Sequence, residues 1–468
     1  MKNLRFAIGV TVVAVAVTAG VALFLSGKLS PLGDEPHYLV MADALTHDLT
    51  FDLRDAYARE GRTHRIYGDR LNPHILIVNH RWGGYHEPGL ALLLAIPYLF
   101  GGVLGARLAL SVMVGFLAWS VFVWFRERLL EASAAWLTIG LMVSIPIAFG
   151  GSQIYPDLPA GIAVTMLTLW LLRRRSEERP AAMDAVRWAA FWLACGLLPW
   201  LNGKFLFVTA ALAAGGIGRL WRLRGKRDLK VAWATFGLIA AGPATLAAYH
   251  FWASGTPLGV RCCAELKTWP LRALMIFLGL HFDQGQGMFF QQPLLVGGVM
   301  ALVPFARRRP RTALFWIALY GSLIVPNSFE LARYGGGGPA GRFGWGAEWL
   351  WIIPLAFLIA EHRERSGSYV RAAVIAALVY QVLLALRWLG DPIVLFTELA
   401  DTLDSRNSLF PVTIRRFLPS FYFWDFKSYL TYGPNLVVYL GCLGLIAAGA
   451  LPGFRSAPAP SHPIDSVQ

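Results

Sequence analysis

The sequence predicts an all-α protein that crosses a membrane many times. Hydrophobic residues make up 56% of the 468 residues and charged residues only 15%, a balance that argues against soluble domains. Apolar runs of about twenty residues recur along the chain, and that number of helical residues crosses the ~30 Å hydrocarbon core of a bilayer. Lys and Arg cluster in the short loops between these runs, as they do in membrane proteins that are oriented by their cytoplasmic loops.

The net charge of +14 therefore indicates membrane orientation and not nucleic-acid binding, since no basic arm stands apart from the apolar runs. With a cytoplasmic N-terminus and twelve spans, every basic cluster falls on the cytoplasmic side. These clusters lie at 126–131, 173–179, 219–227, 307–311 and 361–365. An integral protein of a bacterial inner membrane is expected.

The first predicted span is an uncleaved helix, because no small-residue cleavage site closes its apolar run. The segment 87–102 is apolar but short and contains Pro97, which predicts a re-entrant or interfacial helix or a kinked extension of the next span. A thirteenth span is the alternative. The twelve predicted spans lie near 6–26, 105–125, 133–150, 157–172, 186–201, 204–219, 230–252, 291–306, 312–326, 346–361, 369–389 and 435–452.

One transmembrane domain is predicted over 1–452, followed by a cytoplasmic tail at 453–468 whose composition predicts disorder. Apolar spacing in EPHYLVMADAL, residues 35–45, predicts an interfacial helix, and the aromatic residues of 410–424 predict a second interfacial element. The adjacent Cys262 and Cys263 are expected to be free thiols. Four extracytoplasmic loops are expected, at 27–87, 253–290, 327–345 and 390–434.

Candidate chemistry centres on GDEPHY, residues 33–38, where a span opens into the first large loop. A carboxylate of Asp34 or Glu35 at that place could take a proton from a hydroxyl group as a general base. The alternative is a helix N-cap and a partner for the helix dipole. Asp157, in GSQIYPDLPAG, falls on the same predicted face of the membrane and has the same alternative.

Other polar residues on that face could bind a substrate. Glycine-rich backbone such as RYGGGGPAGR, residues 333–342, lets amide groups approach an anion, and arginine forks around phosphate oxygens. Solvated charges or headgroup contacts are the alternative for the cations, which are Lys204, Arg261, Arg333 and Arg342. Hydroxyl recognition is plausible at Asp283, Gln284 and Gln286.

Metal and nucleotide motifs are missing from the sequence. Six of the ten histidines lie in the first loop, but their spacing matches no zinc signature, so no structural metal site is predicted. These histidines are His37, His47, His64, His74, His80 and His86. The sequence contains no Walker loop, Rossmann fingerprint or serine elbow, which argues against ATP hydrolysis.

The order of these features resembles that of the GT-C glycosyltransferases, in particular the group of protein O-mannosyltransferases and lipid A aminoarabinose transferases. The resemblance covers the overall plan and, locally, residues 33–45 and 83–160. YLFGGVLGARLAL, residues 98–110, is similar to the family's "LFG…ARL" stretch. YHEPGL, residues 85–90, corresponds to a Lys-Pro-Pro-Leu element, but Glu87 stands where the family has a phosphate-binding lysine.

The resemblance implies an enzyme that moves a sugar from a polyprenyl-phosphate donor to a hydroxyl group of a glycan, lipid or protein acceptor, with inversion. Asp34 would be the general base, with Glu35 and Asp157 as the other catalytic residues. The donor phosphate would lie at Arg261, Arg333, Arg342 and Lys204. Family members differ in their use of a divalent cation, so Mg²⁺ or Mn²⁺ stays open. Substrate-binding residues would be His37, Tyr38, His86, Glu87, Asp283, Gln284 and Gln286.

Two other classes of function fit the composition. A secondary transporter of a lipid-linked or small polar solute would place ionisable groups within its spans and often shows inverted repeats, whereas here the acids lie at span ends and no repeat is visible. A non-catalytic protein of envelope assembly would tolerate substitution of Asp34 and Asp157. Membrane lipids are expected partners in every case, and nucleic acid in none.

Overall fold

The computed structural model describes residues 2–173, 181–222, 228–259, 270–330, 338–361 and 363–396, together with short stretches between 409 and 444. This part of the chain is helical apart from one two-stranded hairpin in the first loop. Nearly all of the predicted span at 435–452, the tail at 453–468 and the thiols of Cys262 and Cys263 lie outside the described residues. Most of the predicted loop 390–434 does so too.

Helices form at the predicted spans in the described part, which confirms the all-α class. Proline marks several starts, as expected for a residue that needs no amide partner in a first turn: Pro156 precedes one helix and Pro310 begins another. The main helices of the bundle are α1 (Lys2–Ser26), α4 (Gly89–Arg126), α5 (Glu131–Met142), α7 (Asp157–Leu172), α8 (Ala181–Leu201), α9 (Leu206–Arg222), α11 (Leu238–Ser254), α12 (Pro270–Phe282), α14 (Val296–Arg308), α15 (Pro310–Ser328), α17 (Ile352–Glu361) and α18 (Arg363–Gly390).

Shorter elements complete the chain. The predicted interfacial helix of the first loop is present but runs directly into a π-helical turn at Ala44–Asp48. The short elements are α2 (Glu35–Asp43), α3 (Arg54–Thr63), β1 (Ile75–Val78), β2 (Arg81–Gly84), α6 (Ile145–Ala148), α10 (Asp228–Phe236), α13 (Met288–Gln291), α16 (Arg342–Glu348) and α19 (Val412–Arg415).

Five helices in the described residues are long and apolar enough to cross a membrane. A sixth candidate joins Glu131–Met142 to Ile145–Ser152 through a bend of 62°. Helices too short to cross the bilayer unaided, such as Asp157–Leu172, occupy further predicted spans. The five long candidates are Leu4–Ser26, Gly89–Arg126, Gly203–Trp221, Arg342–Glu361 and Gly367–Gly390.

The segment 87–102 forms its own short helix at the start of α4. Gly102 has φ 56° and ψ −142°, and a Cβ atom on Gly105 would lie 2.2 Å from the carbonyl oxygen of Pro97. The chain therefore turns back at Gly102. Helix 89–101 would be about 20 Å long, shorter than the hydrocarbon core, and the bend at Gly102 fits both predicted forms, a re-entrant or interfacial helix and a kinked extension of the next span.

The basic clusters and the predicted acids lie at opposite ends of the same helices. Arg173, after the C-terminal end of α7, pairs with Glu127, and Arg308, at the end of α14, pairs with Glu361. Asp157 begins α7 at its other end, and near the C-terminal end of α15 the Asn327 side chain donates to the carbonyl oxygen of Phe343. One end of the bundle thus carries the described residues of the clusters that the sequence assigns to the cytoplasm, and the other end carries the candidate site.

Close packing between α8 and α11 depends on two glycines. A Cβ atom on Gly242 would lie 1.8 Å from the carbonyl oxygen of Gly196, and a Cβ atom on Gly196 would lie 2.6 Å from that of Ile239. Small residues at such contacts let helix backbones approach closely, which is a main source of helix association in membranes.

We expect Gly242→Ala to destabilise the protein by about 1–3 kcal/mol, the usual cost of overpacking, and to lower its apparent Tm by several degrees. Gly321→Ala is the matched control, because a Cβ atom there meets nothing within 4 Å and alanine favours the helix. Thermal unfolding of both variants in the same detergent tests this. Equal Tm values would contradict the packing at Gly242.

Candidate functional site

An ion pair between the first loop and α16 forms the centre of the candidate site. Nη1 and Nη2 of Arg342 donate to one oxygen of Asp34, Oδ2, over 3.3 and 3.2 Å. The Arg342 side chain is buried, whereas 28% of the Asp34 side chain is exposed. The pair joins residues 308 positions apart in the sequence, so no local pattern could indicate it.

Asp34 is not a side-chain helix cap. Its backbone carbonyl oxygen accepts the N–H groups of His37 and Tyr38, while its carboxylate makes no capping hydrogen bond. A left-handed glycine precedes each member of the central pair, Gly33 with φ 60° and Gly341 with φ 74°. L-residues with a Cβ rarely adopt this conformation, so the glycines permit the turns that direct Asp34 and Arg342 towards each other.

A second ion pair lies next to the first. Nζ of Lys204 donates to Oδ1 of Asp157 over 2.7 Å, and this carboxylate is buried at the first residue of α7. The ring of Phe343 lies between the two cations, 4.3 Å from Nζ of Lys204 and 5.3 Å from Cζ of Arg342. Asp157 also lies near enough to stabilise the positive charge of Arg342. The site therefore contains two neighbouring ion pairs, with an aromatic ring packed between their cations.

Glu35, which follows Asp34 in the sequence, is only 1% exposed and has other partners. Its Oε1 accepts the N–H of Ile154 over 2.7 Å, and its Oε2 accepts the N–H of Leu32 over 3.0 Å. Nη2 of Arg107 lies 3.8 Å from Oε2, and Nη1 of Arg107 donates to Ser26 at the end of α1. Glu35 thus joins α1, α2, α4 and the turn before α7 at one point.

Three predicted substrate-binding residues support the turns that carry the cations. Oε1 of Glu87 accepts the N–H of Gly203, the residue before Lys204, over 3.1 Å. Oε1 of Gln286 accepts the N–H of Gly341, the residue before Arg342, over 2.5 Å. Asp283 in turn shapes the Gln286 loop, since its Oδ1 accepts the N–H groups of Gly285 and Gln286. Gln284 contacts the backbone of 418–419 instead.

Histidines occupy the other side of Asp34. Nε2 of His86 lies 3.7 Å from Oδ1 of Asp34, and the His37 ring stacks on His74 with 3.8 Å between centroids. Tyr38 is buried with its ring 4.8 Å from that of His86. Burial lowers the pKa of His37 to about 4, and His74 acts in the same direction, so the His37 ring is neutral at pH 7. Asp34, His74 and His86 each present one potential ligand atom, all within 4.8 Å of one another.

The structure brings together most of the predicted residues and adds several that sequence reasoning missed. Asp34, Glu35, Asp157, Lys204 and Arg342 lie at one end of the bundle, with His37, Tyr38, His86 and Glu87 around them. Arg261 and Arg333 lie outside the described residues. The missed residues are Tyr57, His74, Arg107 and Tyr155.

A signal for one missed residue was present in the sequence. Arg107 is the arginine of the "LFG…ARL" stretch, and an arginine inside an apolar run needs a partner. Tyr155 belongs to the same turn as Asp157, and its ring lies 4.2 Å from Cζ of Arg342. The pairing of His74 with His86 had no such signal, because it depends on the hairpin between them.

Comparison with known proteins gives similarity in fold alone. No protein-family model matches the chain, and no curated protein sequence matches it significantly. Two crystal structures of ArnT from Cupriavidus metallidurans are similar. The apo form has a TM-score of 0.49 and 16% identity, and the match covers 95% of this chain and 74% of that chain. The form bound to undecaprenyl phosphate has a TM-score of 0.43 and 14% identity, and the match covers 97% and 72%.

ArnT is a lipid A aminoarabinose transferase of the GT-C class, the group that the sequence resembles. At these scores and identities, neither match assigns an activity or a residue role to this chain.

We expect Glu35→Gln to destabilise the protein by about 1–3 kcal/mol, because an amide nitrogen cannot accept one of the two backbone N–H groups and Arg107 loses a charge partner. Asp55→Asn, at an exposed acid of the same loop, is the control and should change the apparent Tm little. Thermal unfolding in detergent measures both. A Glu35→Gln variant as stable as the control would contradict the structural role of this carboxylate.

Proposed function

We propose that this protein is a membrane glycosyltransferase that uses a polyprenyl-phosphate sugar and transfers the sugar, with inversion, to an acceptor hydroxyl group. The observation that carries the proposal is the Asp34–Arg342 pair, in which a partly exposed carboxylate is held by a buried arginine at one end of an apolar helical bundle. A base and a phosphate ligand are thus adjacent. The site would face the extracytoplasmic side, since the predicted cytoplasmic clusters lie at the other end.

The pairing supports a substrate-driven exchange of partners. In the structure, Asp34 neutralises Arg342 and Asp157 neutralises Lys204. The phosphate of a lipid-linked sugar carries a negative charge that competes for both cations, and arginine binds phosphate oxygens through its fork. Binding of the donor would then release the Asp34 carboxylate to act on the acceptor.

The charges fit the proposed chemistry. The acceptor oxygen forms a bond to the anomeric carbon while the bond from that carbon to the phosphate oxygen breaks, and the acceptor proton passes to Asp34. The donor phosphate is a diester with one negative charge, and the leaving polyprenyl phosphate gains a second. Arg342 and Lys204 would therefore interact with more negative charge on the phosphate in the transition state than in the ground state. This difference is the condition for electrostatic catalysis.

Lys204 supports the proposal because this chain lacks the phosphate-binding lysine of the family's Lys-Pro-Pro-Leu element. Glu87 replaces the lysine of the family's Lys-Pro-Pro-Leu element, but its carboxylate accepts the N–H of Gly203 and thereby holds the turn that carries Lys204. We infer that Lys204 supplies the missing positive charge from another turn. Asp157 orients this lysine, and Glu35 fixes the loop that carries Asp34, so both predicted catalytic acids would act by positioning.

We expect Asp34→Asn to reduce transfer by about 10²–10⁴-fold, the usual contribution of a general base. The assay incubates purified protein in nanodiscs with a panel of polyprenyl-phosphate sugars and with bacterial envelope lipids and glycans. Release of polyprenyl phosphate is followed by mass spectrometry. Asp55→Asn is the control. Release by Asp34→Asn at the wild-type rate would contradict the role of Asp34, and release by neither protein with any donor would contradict the proposed reaction.

We expect Arg342→Gln to weaken binding of polyprenyl phosphate about ten- to a hundredfold, because hydrogen bonds between charged groups contribute about 1.5–3 kcal/mol. Arg342→Lys should lose less, since it keeps the charge but not the fork. Arg62→Gln, at an exposed arginine of the first loop, should bind as the wild type does. Titration of the lipid into protein in nanodiscs measures all four affinities, and equal affinities would contradict a phosphate site at Arg342.

A further inference from the structure

The β-hairpin of the first loop packs against the C-terminal end of α11. A Cβ atom on Gly83, in β2, would lie 2.7 Å from the carbonyl oxygen of Ala253, so only glycine lets the two backbones approach this closely. Beyond the end of α11, a Cβ atom on Gly255 would lie 3.8 Å from a methyl group of Val78, in β1. Both strands therefore contact the same helix end, which fixes the position of the hairpin.

The helix that carries the hairpin exposes an apolar stripe along its length. With α10 it occupies the predicted span at 230–252. In a protein that crosses a membrane, an exposed apolar helix face contacts the acyl chains of the lipids. Phe251, 65% exposed, ends the stripe beside the hairpin. The exposed residues recur every three or four positions, and they are Leu238, Ala241, Ala244, Ala248 and Phe251.

The tip of the hairpin continues this apolar surface. All four residues of β1 are apolar, and Ile77, near the tip, is 64% exposed. The loop before α3 runs beside β2, since the N–H of Leu53 donates to the carbonyl oxygen of Trp82 over 3.0 Å, and this loop exposes Leu49. Leu258, just after the end of α11, is exposed as well. Single exposed apolar side chains need no explanation, but a group that extends a lipid-facing stripe indicates a lipid contact.

Aromatic and cationic side chains lie at the same place. Cζ of the exposed Arg81, the first residue of β2, lies 5.8 Å from the ring centroid of Trp252. The Phe51 ring lies 6.2 Å from Trp252 and 5.2 Å from Tyr249. Trp and Tyr are enriched at the height of the lipid headgroups, where an arginine can lay its stem on apolar surface and extend its charge to a phosphate.

We propose that the tip of the hairpin, residues 77–81, inserts into the headgroup region of the bilayer on the side of the candidate site. Ile77 would lie at the boundary with the acyl chains, and Arg81 would contact lipid phosphates. The occupant is the bilayer because the exposed surface continues the lipid-facing stripe of α11 and because a cation stands where anionic phosphates lie. The first loop would thus be bound to the membrane at a point far from the ends of the loop.

The contact would set the height of the candidate site above the bilayer. His74 immediately precedes β1 at the other end of the hairpin, and its ring stacks on that of His37, in the helix that Asp34 precedes. A strand of four residues is about 13 Å long, so the site would lie within reach of the polar end of a membrane lipid. The proposed membrane contact does not depend on the proposed reaction.

The experiment measures the depth of the hairpin tip in a bilayer. Ile77→Cys is made in the full-length protein with its four native cysteines replaced by alanine, and is labelled with an environment-sensitive fluorophore. The protein is reconstituted at one copy per nanodisc, with lipids that carry a nitroxide quencher either near the headgroup or near the end of the acyl chain. Interfacial segments insert about 5–10 Å, so we expect blue-shifted emission and stronger quenching by the nitroxide near the headgroup.

Thr63→Cys, labelled in the same way, is the matched control, because Thr63 is exposed at the end of α3 in the same loop. Its label should show the emission of a probe in water and no lipid quenching. Adding Arg81→Glu to Ile77→Cys should reduce the quenching, because a carboxylate is repelled by lipid phosphates. Leu258→Cys, at a second exposed position, should report the same depth as Ile77→Cys.

Equal emission and equal quenching at Ile77→Cys and Thr63→Cys would overturn the contact. Self-quenching of the Ile77 label only in nanodiscs with two copies, without lipid quenching, would show an interface between copies of this chain and would overturn it too. Both labelled side chains are exposed, so the variants should unfold at the apparent Tm of the unlabelled parent. Lipid quenching without sugar transfer would leave the membrane contact established and overturn only the reaction.

Discussion

The buried carboxylate of Glu35 is the contact on which the geometry of the candidate site depends. A carboxylate that is 1% exposed needs its oxygens satisfied, and Glu35 meets this with two backbone N–H groups and the nearby Arg107. These partners come from the loop after α1, the turn before α7 and the middle of α4. The contact therefore sets the position of α2, and with it the direction in which the adjacent Asp34 carboxylate points.

The charged residues of the site are arranged so that none stands alone in an apolar environment. Arg342 and Lys204 each have a carboxylate partner, and aromatic rings cover both cations. Such pairs are costly to break by mutation, because the remaining charge would be buried without compensation. An anionic ligand can nevertheless replace a carboxylate without this cost, since it brings its own negative charge. This exchange is what connects the resting geometry to the proposed binding of a lipid phosphate.

Several predicted binding residues form hydrogen bonds with the backbone of the turns around the site. Gln286 and Glu87 accept N–H groups from the residues just before Arg342 and Lys204, and Asp283 shapes the loop that carries Gln286. Side chains near a site are often polar for this reason, because the backbone of an irregular turn needs hydrogen-bond partners inside the protein. The structure places these polar residues beside the turns that carry Arg342 and Lys204, and their part in substrate binding stays a prediction.

The sequence by itself determined the membrane class, the positions of the helices in the described part and the grouping of the basic clusters. These features follow from hydropathy and charge, which are local properties of the sequence and decide which segments enter a bilayer and which loops stay in the cytoplasm. The sequence also located Asp34 and Asp157 at span ends. Only the tertiary structure decided that Glu35 is buried while Asp34 is partly exposed, since the burial of a charged side chain depends on partners from distant segments. It alone paired Asp34 with Arg342 and placed His74 beside His86, because contacts between distant residues depend on packing and on a hairpin turn that no spacing rule encodes.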